Sequence, residues 1–202
     1  MMQSDINISI IIPCFNEKET INKVFEKVKN SQINNKEIII VDDCSNDGSK
    51  EIIEQIKKNN SNINLKTLFH HINEGKGSAI KTGLKEATND LILIQDADLE
   101  YDPDDYPNLL EPFIKYNADV VYGSRFIGGN GPKRLHLFWN QVANKILTLT
   151  TNIFTNLNMT DMETGYKVFK KKIPRYRQSK GKIFWHRTRN NDKISKAKNK
   201  IF

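Results

Sequence analysis

Two aspartates one residue apart, Asp96 and Asp98, close an apolar run at residues 91–94. Carboxylates at that spacing can each offer one oxygen to a hard divalent cation and leave its other positions open for phosphate and water. Glu100 stands two residues further on as a candidate third ligand. A solvated acidic turn has the same spacing, so the pair alone does not decide. A second acidic pair, Asp42-Asp43, ends another apolar run, 37–41. Asp47 reads as the N-cap of the helix that follows. Capping leaves Asp42 and Asp43 unexplained, and a base edge or a ribose hydroxyl would be a natural partner for them. A third segment, Asn73-Glu74-Gly75-Lys76-Gly77, precedes a helical pattern. Glycines there free backbone N–H groups, and with them a lysine, to face an anion. It lacks the P-loop spacing, and taken alone it is a helix-start turn.

These residues need elements to hold them. Residues 8–13, 37–41 and 91–94 are short continuous apolar runs, the pattern of strands buried on both faces of a parallel sheet. Between them Ile21, Val24, Phe25 and Val28, then Ile52, Ile53 and Ile56, then Ile80, Leu84 and Ala87 recur at helical spacing. Strand, polar turn, helix, strand predicts right-handed crossovers and a mostly parallel α/β sheet flanked by helices. Ligands of such sheets bind outside the carboxyl ends of the strands. Asn16 and Glu17, Asp42 and Asp43, and Asp96 and Asp98 all fall there. Residues 104–116 read as a further helix and 120–122 as a short strand. Gly123-Ser124-Arg125 and the loop Gly128-Gly129-Asn130-Gly131 follow. Residues 135–157 carry Phe138, Trp139, Val142, Ile146, Leu149, Ile153 and Phe154 at helical intervals. That stretch fits either a core helix pair or an amphipathic segment at a membrane interface.

Composition narrows the classes. At 38% hydrophobic and 27% charged, the 202-residue chain has the makeup of a soluble domain with a sizeable core. The formal charge of +7 is unevenly placed: of 31 basic and 24 acidic residues, 13 and one lie in 170–202, which leaves 18 and 23 in residues 1–169, a net of −5. An acidic body is no nucleic-acid binder, and no nucleic-acid partner is expected. Cys14 and Cys44 have no CxxC spacing, which excludes a zinc site or disulfide framework and fits a reducing cytoplasm. Residues 1–5 lack the n- and h-regions of a signal peptide, and no apolar run is long enough to span a bilayer, so a cytoplasmic location is expected.

In combination the motifs are specific. IPCFNE (12–17), VDDCSNDGS (41–49), NEGKGSAIKTGL (73–84), QDADLEYDP (95–103), YGSRF (122–126) and DMETGYKVF (161–169) resemble family 2 glycosyltransferases, in the branch of dolichol-phosphate mannose synthase and bacterial polyprenyl-phosphate sugar transferases. The resemblance implies an inverting GT-A fold. It places Pro13, Asn16, Glu17, Asp42, Asp43, Lys76, Gly77 and Asp96 around a nucleotide-sugar donor, with Asp96, Asp98 and Glu100 as ligands of Mg²⁺ or Mn²⁺. Arg125, assisted by Arg134, would lie near an acceptor phosphate, and Asp161 matches an acidic position proposed as a base. The implied reaction moves a hexosyl group from a GDP- or UDP-sugar to a polyprenyl or dolichyl phosphate at the cytoplasmic membrane face, with peripheral membrane contact. The alternative is an inactive, truncated nucleotide-sugar-binding remnant.

After Phe169 the resemblance stops. Relatives continue with a segment like FGFEPEIT, whereas this chain turns to Lys170-Lys171-Lys172 and a basic tail. Read one base forward with A/T-rich codons, residues 173–191 can encode a run ending FFGIEPEIT. The expectation is therefore a catalytic domain over 1–169, incomplete at its C-terminal end, and a tail over 170–202 that is out of frame or disordered. The competing reading is a polybasic arm for anionic lipid or nucleic acid. Resequencing the adenine-rich codons of Lys170 to Lys172 distinguishes them, since an intact frame there sinks the first.

Overall fold

The computed structural model describes residues 6–123, 138–155, 161 and 164–172. In chain order the elements are β1 (Ile8–Cys14), α1 (Ile21–Asn30), β2 (Lys36–Asp42), α2 (Ser49–Asn59), β3 (Leu65–Phe69), α3 (Lys76–Glu86), β4 (Leu91–Ile94), a 3₁₀ turn (Pro103–Asp105), α4 (Tyr106–Tyr116), β5 (Val120–Tyr122), α5 (Phe138–Thr155) and β6 (Lys167–Lys170). They build one sheet of order β3-β2-β1-β4-β6-β5. β1 pairs in parallel with β2 and β4, and β2 with β3. β6 enters between β4 and β5 antiparallel to both. The sheet is mixed but mostly parallel, as the repeated apolar runs predict.

Every residue of β1 is buried because helices cover both faces. Alternation along the strand divides the core in two. Ile8, Ile10 and Ile12 pack with Val24, Phe25 and Val28 of α1, Ile53 of α2 and Tyr106 and Leu110 of α4. Ile11 packs with Ile39, Val41 and Ile92 under Ala79 and Ile80 of α3. α3 lies close because Gly83 faces β1: a Cβ there would sit 2.6 Å from Ile11 Cγ2.

Two elements differ from the sequence expectation. β3 is an edge strand in which only Thr67 is fully buried, so it has no apolar run to announce it. β6 is four residues long, and its partners lie 45 or more residues away in sequence. The sheet also continues past the expected boundary at Phe169. Lys170 donates its N–H to Asp119 O (3.0 Å) and its ammonium pairs with Asp119 Oδ1 (2.9 Å), and Lys171 N–H bonds Asp90 O (2.6 Å). The remainder of the tail, 173–202, lies outside the described residues.

α5 turns its polar side inward. Asn144 and Thr148 are buried, while Ile146, Leu149, Ile153 and Phe154 are exposed, Phe154 by 82%. Those four apolar residues are therefore not core, which decides against the core helix pair for this part of the stretch. The side chains of Phe138, Trp139 and Val142 lie outside the described set.

Candidate functional site

β1, β2 and β4 are parallel neighbours, so their carboxyl ends share one edge of the sheet. Much of the polarity there stitches loops together. Asn16, in the left-handed region at φ 56°, donates its N–H to Ser45 Oγ (2.9 Å) and accepts Asn46 N–H on Oδ1 (2.9 Å). Glu17 donates its N–H to Ser49 Oγ (2.9 Å), and its carboxylate accepts the Thr20 hydroxyl (2.6 Å). Asp42, buried, accepts both the N–H (3.1 Å) and the hydroxyl (2.5 Å) of Ser45. Gly48 rather than Asp47 holds the N-cap position of α2, with φ 102°; Asp47 serves from one residue earlier, accepting Ser49 N–H (2.9 Å) and, across the loops, Lys18 N–H (3.0 Å). Asn16, Glu17 and Asp42 thus spend these polar groups on the β1–α1 and β2–α2 turns.

Asp43 does a different job. Its Oδ1 accepts the His70 ring Nδ1–H (2.7 Å) and Glu74 N–H (3.1 Å), and its Oδ2 accepts Gly75 N–H (2.7 Å). The carboxylate therefore fixes the start of α3, where Gly75 takes φ 88° and Lys76 and Gly77 open the helix.

Asp43, Lys76, Asp96 and Asp98 line one cleft of about 330 Å³ together with Pro13, Cys14, Phe15 and Ala97. The Lys76 ammonium reaches over to lie 2.6 Å from Asp96 Oδ1. That buried oxygen has no hydrogen-bond partner among the described residues, so the contact is an ion pair without hydrogen-bond geometry. Behind it the chain passes so close that a Cβ on Gly165 would lie 2.5 Å from Asp96 Oδ2 and 2.6 Å from the Tyr101 ring. Gly165 N–H donates to the Tyr101 hydroxyl (2.6 Å), and Gln95, held by the Tyr106 hydroxyl on its Oε1 (2.8 Å), donates to Asp96 O (3.0 Å). Asp98, by contrast, is exposed and accepts Glu100 N–H (3.0 Å) after a left-handed turn at Leu99, φ 62°.

An orphaned carboxylate oxygen beside an exposed second carboxylate fits a hard cation that takes its remaining ligands from phosphate and water. Glu100 meets Asp98 through its backbone N–H, and no three His, Cys, Asp or Glu side chains converge on a metal position among the described residues. Cys14 in the cleft lining is no nucleophile, since burial, with help from the carboxylates of Asp42 and Glu17, pushes its thiol up to about 12.

The structure thus brings Pro13, Asp43, Lys76, Asp96 and Asp98 to one cleft, with Glu17 at its edge. Asp161 is buried and accepts Asn144 Nδ2–H from α5 (2.9 Å). Arg125 and Arg134 lie outside the described residues. Sequence reasoning missed His70, Tyr101 and Gly165. Gly165 alone had a signal, its place in the motif at 161–169. Gly165→Ala is expected to lower stability by about 1–3 kcal/mol through overpacking. Gly75→Ala, where a Cβ meets nothing within 4 Å, has only the left-handed backbone to oppose it, at about 1–2 kcal/mol. Urea denaturation of the two variants, with Mn²⁺ titration of Gly165→Ala alone expected to show weaker binding, separates crowding from backbone strain.

Comparison with known proteins bears on this site. The family described as Glycosyl transferase family 2 matches residues 9–177. A dolichol-phosphate mannosyltransferase of Pyrococcus furiosus is 35% identical over 125 residues, covering 61% of this chain and 34% of that protein. A UDP-N-acetylglucosamine–dolichyl-phosphate N-acetylglucosaminyltransferase of Methanococcus voltae is 31% identical over 181 residues, covering 83% of this chain and 71% of that protein. The chain thus spans about a third of the first relative's length and 71% of the second's. Among solved structures, a mannosyltransferase from Pyrobaculum calidifontis in complex with GDP-Man and Mn²⁺ superposes with a TM-score of 0.61 at 20% identity, over 81% of this chain and 44% of that one, a likeness of fold.

Proposed function

This chain belongs to glycosyl transferase family 2, and from that premise we propose that it transfers a hexosyl group from a GDP- or UDP-sugar to a polyprenyl or dolichyl phosphate, with inversion at the anomeric carbon. The observation that carries the reading is the cleft itself, where the buried Asp96 oxygen without a hydrogen-bond partner, the Lys76 ammonium paired with it and the Asp43 carboxylate come together at the ends of parallel strands. Asp96 and Asp98 would hold Mg²⁺ or Mn²⁺. Bound there, the cation would supply electrostatic stabilisation of the charge that builds on the departing nucleoside diphosphate. Lys76 adds a second positive group on the same side. Asp43, which lines the same cleft, is set to accept from the nucleoside.

The names of the relatives support a lipid-phosphate acceptor: dolichyl phosphate stands in both. A phosphate oxygen is already anionic, so attack needs positioning more than proton removal, and Arg125 and Arg134 are assigned that task. A hydroxyl acceptor would need a base and would give Asp161 that role. The exposed apolar side of α5 supports peripheral contact with the cytoplasmic membrane face. No helix among the described residues is long and apolar enough to cross a membrane. The division of the chain into this domain and an out-of-frame tail belongs to the same proposal.

A thermal-shift panel of UDP-, GDP- and TDP-sugars, each with and without Mn²⁺, tests the donor. One nucleotide series should raise the melting temperature only when Mn²⁺ is present. Incubation of that sugar with a polyprenyl phosphate should then give a glycolipid. No shift with any donor sinks the reading, and a shift without turnover marks the inactive remnant instead.

A further inference from the structure

We propose that His70 is a positioning residue for the nucleoside half of the donor site, acting through Asp43; the inference rests on the donor-binding reading above. His70 follows β3 and donates its backbone N–H to Asp42 O (2.9 Å), which sets the ring beside the end of β2. A carboxylate oxygen accepts, so the hydrogen between His70 and Asp43 sits on Nδ1. The other ring nitrogen, Nε2, lies 2.9 Å from the Thr82 hydroxyl on α3. When the ring carries its hydrogen on Nδ1 alone, Nε2 accepts from the Thr82 hydroxyl, a contact compatible with the tautomer that Asp43 requires.

The carboxylate has about four lone-pair positions. His70, Glu74 N–H and Gly75 N–H occupy three of them, and the side chains of His70 and Asp43 are 12% and 2% exposed. One position remains, on a residue that lines the cleft. The terminal torsion of an aspartate is broad and roughly two-fold, so its rotamer alone does not orient the oxygens. The two backbone donors both come from the turn that leads into Lys76. His70 is the one donor to Asp43 from outside that turn among the described residues, and it therefore decides how the carboxylate and the turn sit against β2. Removing it frees the carboxylate to rotate and loosens the N-terminus of α3, while the packing of Asp96 against Gly165 is left in place.

The test uses the full chain with UDP, GDP and Mn²⁺ as probes. His70→Leu keeps the bulk and removes the donor; His70→Asn puts an amide N–H near the place of Nδ1; Thr82→Val removes the hydroxyl behind the ring. His70→Leu is expected to weaken binding of the nucleoside diphosphate about tenfold, the order expected for a hydrogen bond to a charged group, and to raise KM likewise. Its kcat and its Mn²⁺ affinity without nucleotide should stay within about twofold, and His70→Asn should recover most of the loss. A purely structural histidine would lower kcat and KM effects together and would not be rescued by asparagine. Unchanged nucleotide affinity in His70→Leu, or equal losses in the leucine and asparagine variants, overturns the proposal. Should His70→Leu not fold, Thr82→Val decides: nucleotide affinity equal to that of the parent chain overturns the proposal, and a loss of about threefold supports it. If the parent chain binds neither UDP nor GDP, the donor-site reading fails first and this inference with it; binding by the parent and by His70→Leu alike defeats only the role of His70.

Discussion

Asp98→Ala is expected to cut metal-dependent sugar transfer about a thousandfold, equivalent to some 4 kcal/mol of lost charge stabilisation, with little change in the melting temperature. The asymmetry follows from where Asp98 stands. Its carboxylate is exposed and accepts Glu100 N–H in a surface turn. Nothing in the core depends on it, and surface substitutions of that kind move stability by about 0.5 kcal/mol or less. Asp96 would give a less clean answer, because its oxygens pack against Gly165 and pair with Lys76, so loss of the charge there also disturbs packing. The measurement is the rate of glycolipid formation across a Mn²⁺ series for the parent and the variant, with melting curves alongside. A variant that keeps both its rate and its Mn²⁺ dependence removes Asp98 from the metal site.

Lys76 qualifies that expectation. In the structure its ammonium stands beside the same Asp96 oxygen that a cation would use. Two positive groups on one carboxylate oxygen repel, so binding of the ion favours the position in which Lys76 turns toward phosphate. Metal and donor binding should for this reason reinforce each other. Titrating Asp98→Ala with Mn²⁺ in the absence and presence of nucleoside diphosphate tests the metal site separately from turnover.

How much of this was legible in the sequence depends on the range of the interaction that fixes each part. β1, β2, β4 and β5 were readable because strands buried on both faces leave continuous apolar runs, and residues 91–94 and 120–122 are bounded as the sequence suggests. The four apolar residues assigned to α1 are its buried face. β3 escaped because an edge strand buries little. β6 escaped because its place between β4 and β5 is decided by pairing across the fold, and Lys-Val-Phe-Lys has no local signature. The site shows the same division. Asp43, Asp96 and Asp98 were marked by position at strand ends, a local property. That Asn16 and Glu17 serve the loops, that His70 holds Asp43 and that Gly165 makes room for Asp96 are facts about neighbours 27 to 69 residues away in the chain, as the contacts from His70 to Asp43 and from Gly165 to Asp96 show.

At the opposite edge of the sheet from the cleft, Glu37 should govern stability as Asp98 governs activity. Its side chain is fully buried in β2. Oε2 accepts the Ser9 hydroxyl (2.5 Å) and Thr88 N–H (2.8 Å), and Oε1 pairs with the Lys66 ammonium (2.8 Å). Ser9 in turn accepts Asn89 N–H (3.2 Å), so one carboxylate ties β1, β3 and the turn before β4 to β2. Glu37→Ala strands the buried Ser9 hydroxyl and takes the acceptor from the Thr88 N–H. Lys66 is only two-thirds covered and can turn to water. The expected loss is about 3 kcal/mol, below the upper range for a broken buried pair because of that escape. For a chain of this size that is roughly 6–12 °C in melting temperature. Glu37→Gln keeps an acceptor and should lose about half as much, and Lys66→Met less still. The pH dependence has a fixed sign. Burial alone would raise the Glu37 carboxyl, but Lys66, Ser9 and Thr88 together outweigh it and hold the group below its ordinary range. The folded state therefore binds its proton less readily than the unfolded chain. The contribution is fully present above the unfolded value near 4.3 and is lost as pH falls through the lower folded value. Urea midpoints measured from neutral pH downward should accordingly fall more steeply below about pH 4.5 in the parent chain than in Glu37→Gln. Parallel curves for the two would show that the carboxylate is held by something other than the charge on Lys66 and the donors on Ser9 and Thr88.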